Sequence, residues 1–366
     1  GLMNNIVYNL VQDDDGFVWV ATQTGIDRYD GSSFKHYNLL TRKNNYDFSR
    51  VIAVKKDGKG NIWGATNNYL YIFNKWMDRF EPLVEIRTAV KRKAITLLYI
   101  DETGVLWLAV GNGLSLYKYD PGKRELSFVE TYKTPVRSIF HTKNELFIGL
   151  EKGLLHYKSN GSKLSYLNGL SPLKRAGLDS LFITAIAKDD IGRWWFGTLN
   201  SGIYLYEPQK QNLRNLDVID PTLKQHVIRD LSFSARNKKM YVAKDGGGVA
   251  VFDQQLKVVK YVANEDNPQS LSSNGVYHIF EDTYNRIWVS TFGAGINIYD
   301  PNKLPFISIN HERNENNSLA NNMAGAVVQD RSGRYWFGTQ KGISVYDVKT
   351  RNWIQLNREN NKLSSN

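Results

Sequence analysis

Two sets of polar side chains recur along the chain at regular intervals, and their chemistry suits an oxygen-rich ligand. Members of the first set are separated by 44, 44, 40, 48, 45, 48 and 48 residues, and the second set keeps nearly the same rhythm. Amides donate and accept hydrogen bonds at once, which suits sugar hydroxyls, while Lys and Arg bind carboxylate or sulfate. The first set is Asn5, Ser49, Lys93, Lys133, Leu181, His226, Asn274 and Asn322; the second is Gln23, Asn67, Asn112, Lys152, Asn200, Lys244, Phe292 and Gln340.

Three arginines near the starts of predicted strands add positive charge to these sets. The alternative interpretation is that both sets are solvated turns, in which Asn and Lys are common. We nevertheless predict a ligand-binding site made of Arg50, Lys93, Arg137, His226, Arg229, Gln23, Asn67, Asn112, Lys152, Asn200, Lys244 and Gln340.

A repeated signature positions both sets. It reads Asp, two residues, Gly or Asn, two residues, a large ring, and then usually Thr and Gly. Six copies are clear, and two weaker ones begin at His141 and Ser234. The ring place is occupied at positions 19, 63, 107, 147, 195, 240, 288 and 336. A period of this length indicates a repeat array.

Each copy predicts a short hairpin. Asp at the first place of a turn accepts backbone N–H groups, and Gly or Asn at the fourth place tolerates left-handed backbone. Runs that alternate apolar and polar residues flank the turn, as half-buried strands do. Four short antiparallel strands per unit of about 45 residues predict an all-β fold, a β-propeller of eight repeat units with seven or eight blades.

The same topology predicts where the two polar sets lie. If the signature hairpin joins strands one and two at the lower face, the segment before strand one and the loop after strand two share the opposite, upper face. Loops held by a rigid scaffold commonly carry function. The signature Trp residues, by contrast, are predicted to be core.

Two long strings resemble a known repeat family. DGFVWVATQTGIDRYDG at 15–31 and DRSGRYWFGTQKGISVYD at 330–347 resemble the two-component regulator propeller repeat, as do the connecting phrases NPQSLSSN at 267–274 and NNSLANN at 316–322. The resemblance covers essentially the whole chain. It implies the periplasmic sensor segment of a membrane-spanning hybrid two-component system, which binds an oligosaccharide and signals to a histidine kinase elsewhere in the protein.

The number of blades decides the domain organisation. Counting signatures favours a single propeller over residues 1–366, whereas the family favours seven blades over 1–320, with 321–366 opening a following propeller. The sequence leaves both alternatives open.

Composition and motifs narrow the function classes. The chain has no cysteine, and its six histidines lack the close spacing of zinc ligands, so we expect no metal and no cofactor. The net charge of +11 favours anionic partners. The basic residues are scattered apart from one tight cluster at 91–93, so we predict that this segment does not bind nucleic acid.

Three functional alternatives remain. A non-catalytic sensor of an oligosaccharide, acidic if the cations are used, is preferred because no catalytic set stands out. An enzyme similar to the streptogramin lyases would need a general base, for which His226 or His278 is available. A protein-interaction scaffold, which includes a homodimer, is the third.

Overall fold

The structure, a computed structural model, describes residues 1–43, 45–90, 93–160, 163–166, 177–267, 269–301, 309–312, 317–360 and 363–364. The chain forms two compact units, residues 1–302 and residues 303–366. Helical structure among the described residues is limited to α1 (Ile86–Ala89) and three 3-10 turns, at Pro208–Lys210, Leu216–Val218 and Pro221–Gln225.

The described part of the first unit contains seven antiparallel sheets whose strands follow one another in chain order. The first four sheets are β1 (Val7–Gln12), β2 (Val18–Thr22), β3 (Ile26–Tyr29), β4 (Phe34–Tyr37); β5 (Val51–Lys56), β6 (Ile62–Thr66), β7 (Tyr69–Asn74), β8 (Arg79–Glu85); β9 (Ile95–Ile100), β10 (Leu106–Val110), β11 (Ser115–Asp120), β12 (Glu125–Thr131); and β13 (Val136–His141), β14 (Glu145–Leu150), β15 (Leu154–Asn160), β16 (Lys163–Tyr166).

The fifth and sixth sheets also have four strands, and the seventh has three among the described residues. Their strands are β17 (Ile183–Lys188), β18 (Trp194–Thr198), β19 (Ile203–Glu207), β20 (Asn212–Asn215); β21 (Val227–Ser234), β22 (Lys239–Asp245), β23 (Gly248–Phe252), β24 (Val258–Tyr261); and β25 (Val276–Glu281), β26 (Ile287–Thr291), β27 (Ile296–Tyr299).

The first strands of these seven sheets form a closed succession. Strands β1, β5, β9, β13, β17, β21 and β25 each contact the next, and β25 contacts β1. The seam between the seventh and first sheets is packed by Val7, Leu10 and Trp288, and the amide of Thr283 donates to Gln12 Oε1 at 2.8 Å. The first strands therefore surround a central channel, as in a β-propeller.

The second unit contains an eighth four-stranded sheet of β28 (Ala324–Gln329), β29 (Tyr335–Thr339), β30 (Gly342–Asp347) and β31 (Asn352–Leu356). Every residue of β28 is exposed, although its counterpart β1 is mostly buried. The predicted all-β propeller of four-stranded antiparallel blades is confirmed, with eight sheets for eight repeat units.

The signature Asp makes two kinds of contact in each clear copy. Its Oδ1 accepts the backbone N–H four residues on, as in Asp57 from Asn61 at 2.9 Å. Its Oδ2 accepts the indole N–H six residues on. That oxygen-to-nitrogen distance is 2.7 Å for Asp13–Trp19, 2.9 Å for Asp57–Trp63, 2.8 Å for Asp101–Trp107, 2.9 Å for Asp189–Trp195, 2.8 Å for Asp282–Trp288 and 2.9 Å for Asp330–Trp336.

The ionised carboxylate is held by these donors. Burial opposes ionisation of Asp57, but hydrogen bonds from Asn61 and the Trp63 indole outweigh it, so the pKa of Asp57 lies below its usual value. The same carboxylate also positions a core residue, because Trp63 is only 1% exposed and packs between the second and third sheets. Each of the five clear copies in the first unit thus fixes a hairpin and a core ring with one side chain, whereas Trp336 of the second unit is half-buried.

The two weaker copies use a hydroxyl group where the clear copies use Asp. The copy in the fourth sheet also begins one residue later than the sequence predicts. In the fourth sheet Thr142 Oγ1 accepts the N–H groups of Asn144 and Glu145, so Thr142 stands where Asp is usual. His141 instead ends β13, and its Nδ1 lies 2.8 Å from Asp101 Oδ2 of the preceding sheet. In the sixth sheet Ser234 Oγ accepts from the amide of Asn237 at 3.0 Å.

We expect Asp57→Ala to lower the free energy of unfolding by about 3 kcal/mol, because it leaves a buried indole N–H and turn amides without their acceptor. Urea titration followed by tryptophan fluorescence measures this change. Asp120→Ala is the matched control, since Asp120 accepts exposed turn amides and pairs with the exposed Lys123 but binds no indole. Equal losses in the two variants would contradict a special role for the indole contact.

Candidate functional site

The structure brings the two polar sets side by side on each sheet except the sixth. The residue after the second strand donates its backbone N–H to a carbonyl just before the first strand. Examples are Gln23 to Ile6 at 3.1 Å and Asn67 to Arg50 at 3.0 Å. The same bond recurs in Glu151 to Pro135, Leu199 to Phe182 and Phe292 to Gly275. We call these loops of the first seven sheets the upper face, and they lie at one end of the channel.

Four side chains form a row at the upper end of the channel, in which two tyrosines lie between two arginines. The rings of Tyr8 and Tyr277 are stacked, with centroids 6.2 Å apart and planes inclined by 13°. The Arg50 guanidinium carbon lies 4.5 Å from the Tyr8 centroid, and that of Arg229 lies 5.0 Å from the Tyr277 centroid. We call this arrangement the arginine–tyrosine ladder. It joins the second, first, seventh and sixth sheets.

The arginines of the upper face differ in their electrostatic partners. Arg229 Nε donates to Asp245 at 3.0 Å, and Arg137 Nε donates to Glu151 at 2.9 Å. Among the described residues no carboxylate forms an ion pair with Arg50. Burial raises the pKa of Tyr277, and the nearby Arg229 opposes that effect, so the phenol stays neutral and can donate a hydrogen bond.

Several predicted residues lie on the upper face as exposed side chains: Gln23, Asn112, Lys152 and Asn200. Others are already engaged. Asn67 Nδ2 donates to the carbonyl of Ile95 at 3.0 Å, and Lys93 Nζ lies 3.3 Å from Ser115 Oγ. His226 is half-buried beside Gly247, where a Cβ would lie 2.5 Å from the imidazole.

Two predicted residues are not part of this arrangement. Lys244 lies inside β22 and is 2% exposed, so its prediction as an upper-face loop residue is wrong. Burial lowers the pKa of Lys244, and Asp220 opposes the effect. Gln340 is exposed in the second unit. Lys91 and Arg92 of the basic cluster lie outside the described residues.

Sequence reasoning missed Tyr8 and Tyr277. Both lie five residues before the first place of a signature, at Asp13 and Asp282, and Arg229 lies five before Ser234. Tyr8 is the second residue of β1, and Tyr277 is the second residue of β25. An aromatic or cationic residue there is the signal that could have identified the ladder.

The channel also contains ionisable side chains from three sheets. His278 Nε2 lies 3.8 Å from Asp230 Oδ2. Burial lowers the pKa of His278 to about 4, partly offset by Asp230, so the imidazole is neutral at pH 7. Lys55, on the far side of the seam, also has its pKa lowered by burial. Within the described ranges no group of three His, Asp or Glu side chains could hold a metal ion.

Comparison with known proteins identifies the repeats. Residues 1–24, 270–293 and 318–341 match the two-component regulator propeller family. The first and third segments overlap the strings at 15–31 and 330–347, and the second overlaps the connecting phrase at 267–274, so the predicted resemblance to the two-component regulator propeller repeat is confirmed in these three segments. No curated protein shows detectable sequence similarity to the chain.

Solved structures share the fold. The extracellular domain of the putative hybrid two-component system BT3049 from B. thetaiotaomicron is 24% identical, with a TM-score of 0.67, over 100% of this chain and 48% of that one. That of BT4673 from the same organism is 21% identical, with a TM-score of 0.64, over 97% and 52%. The chain therefore spans about half the length of these structures.

A more distant structure is virginiamycin B lyase from Staphylococcus aureus, 13% identical, with a TM-score of 0.61, over 80% of this chain and 94% of that one. Among the residues described here, no helix is both long and apolar enough to cross a membrane.

We expect acetic anhydride to label Lys152 before Lys244, with a rate difference of about tenfold or more, because Lys244 reacts only when its strand opens. Peptide mass spectrometry after brief labelling measures both rates. Unfolding in urea before labelling is the control and should remove the difference. Equal rates in the folded protein would place Lys244 on an accessible loop.

Proposed function

We propose that the chain is the periplasmic sensor segment of a hybrid two-component system and that its upper face binds an acidic oligosaccharide. The family of the repeats and the extracellular neighbours support the sensor assignment. In this proposal the ligand is not consumed, and the remainder of a membrane-spanning sensor conveys its binding to a histidine kinase.

The arginine–tyrosine ladder carries the ligand proposal. Flat aromatic faces stack on the C–H surfaces of sugar rings, and guanidinium groups bind carboxylate or sulfate with paired hydrogen bonds. Exposed Gln23 and Asn200 lie on the same upper face and can both donate to and accept from sugar hydroxyls. The ladder thus supplies stacking and charge, and other loops of the upper face supply amides, all of which an acidic sugar chain can use.

The test is isothermal titration with defined neutral, uronic and sulfated oligosaccharides. We expect at least one acidic member to bind, with affinity falling as salt rises. Tyr8→Ala and Tyr277→Ala should each weaken binding about tenfold. Tyr284→Ala, which removes an exposed ring on a lower-face hairpin, is the matched control.

Two results would count against this proposal. Mass spectrometry that detects conversion of a bound oligosaccharide would favour an enzyme, as in the lyase alternative. Concentration-dependent light scattering, with no glycan bound by the panel, would favour an interaction scaffold or homodimer.

We also propose that residues 1–302 form a complete seven-bladed propeller and that the eighth sheet begins a following one. Contact between β25 and β1 supports closure without the eighth sheet. The exposed strand β28, with Val327 62% and Val328 64% exposed, supports a sheet whose partner lies elsewhere. This proposal moves the predicted boundary from residue 320 to residue 302.

A fragment ending at residue 312 tests the blade number. We expect it to keep a cooperative thermal transition within a few degrees of that of the full chain, because the seam is intact. The matched fragment lacks residues 1–37, the first sheet, and should lose that transition. Retention of cooperativity by the second fragment alone would favour a ring that includes the eighth sheet.

A further inference from the structure

Three arginines of the upper face differ in whether a carboxylate of the protein pairs with them, and this difference bears on which of them can bind an anionic ligand. Arg137 and Arg229 occupy the second or third place of a first strand, and each pairs with an acidic residue at the end of the adjoining second strand. Their partners, Glu151 and Asp245, already neutralise them. An incoming anion would have to compete with those carboxylates.

Arg50 has a different environment. It precedes β5, and its guanidinium lies over the face of Tyr8 rather than beside a carboxylate. Where the fourth sheet has Glu151 after its second strand, the first and second sheets have the uncharged amides Gln23 and Asn67. Arg50 therefore keeps its net positive charge.

The contact with Tyr8 also leaves guanidinium N–H groups of Arg50 available to an oxyanion. The guanidinium carbon lies 4.5 Å from the ring centroid, and a guanidinium donates its N–H groups in pairs to carboxylate or sulfate. The Tyr8 ring limits the orientations of Arg50, so less side-chain entropy is lost when an anion binds. The residue is exposed, so a ligand can reach it.

We propose that Arg50, which lies over the Tyr8 ring, is the residue that recognises the anionic group of the ligand, while Arg137 and Arg229 remain bound to their own carboxylates. This inference rests on the proposed function and narrows it. The ligand carries a carboxylate or sulfate beside a sugar ring that contacts the tyrosine pair. Arg229 then serves to position Tyr277.

Inorganic sulfate is the probe for this assignment. Titration of the full chain, followed by the NMR signals of arginine Nε–H groups, should give a saturable shift at Arg50 and little change at Arg137 and Arg229. Arg50→Ala should abolish saturable binding, and Arg50→Lys should weaken it, since an ammonium lacks the paired donors. Arg214→Ala is the matched control, because Arg214 is an exposed arginine of β20 that pairs with Glu207, and this variant should bind sulfate as the parent protein does.

Equal shifts at all three arginines, or saturable binding that survives in Arg50→Ala, would overturn the assignment. Thermal unfolding of each variant verifies that it is folded. The two proposals fail separately. Sulfate bound at Arg50 with no oligosaccharide bound would remove the glycan proposal alone, whereas an acidic oligosaccharide bound equally well by Arg50→Ala would remove the assignment of Arg50 alone.

Discussion

The bond between the signature carboxylate and the indole six residues later is the interaction on which the structure depends. One oxygen of the carboxylate binds the turn, and the other binds a ring buried between sheets, as in Asp57 and Trp63. Local hairpin geometry and packing between sheets are therefore specified by the same residue. Because the contact recurs in five of the seven sheets of the first unit, those sheets each pack a buried indole against the next sheet of the succession.

Closure determines what the loops can do. Since the first strands surround the channel, the residues at their starts converge from different sheets, although they are far apart in the chain. The ladder is one result, with Arg50 and Tyr8 on one side of the seam and Tyr277 and Arg229 on the other. The His278, Asp230 and Lys55 group deeper in the channel is another. Neither group lies within a single repeat.

Repetition explains how much the sequence could predict. Turn chemistry and strand alternation are local, so the sheets, the buried Trp residues and the pairing of the two polar sets followed from spacing.

The wrong predictions for Lys244 and His141 have local causes too. The sixth sheet's second strand extends to Asp245, which places Lys244 within the strand rather than the loop. In the fourth sheet the hairpin begins at Thr142, which shifts His141 onto the preceding sheet's Asp101. Contacts around the ring, such as Tyr8 with Tyr277, depend on closure and have no local signal beyond their shared register.

The seam between the seventh and first sheets limits when the first unit can close during synthesis. Tyr8 and Tyr277 are separated by 269 positions (277 minus 8), yet their rings stack. During synthesis the first sheet must wait, with one side uncovered, until nearly the whole unit has been made. The ladder comes into being only at that final step. A chain that is partly synthesised or open at the seam therefore has no ladder. A ligand bound at the ladder would hold the first and last sheets of the unit together.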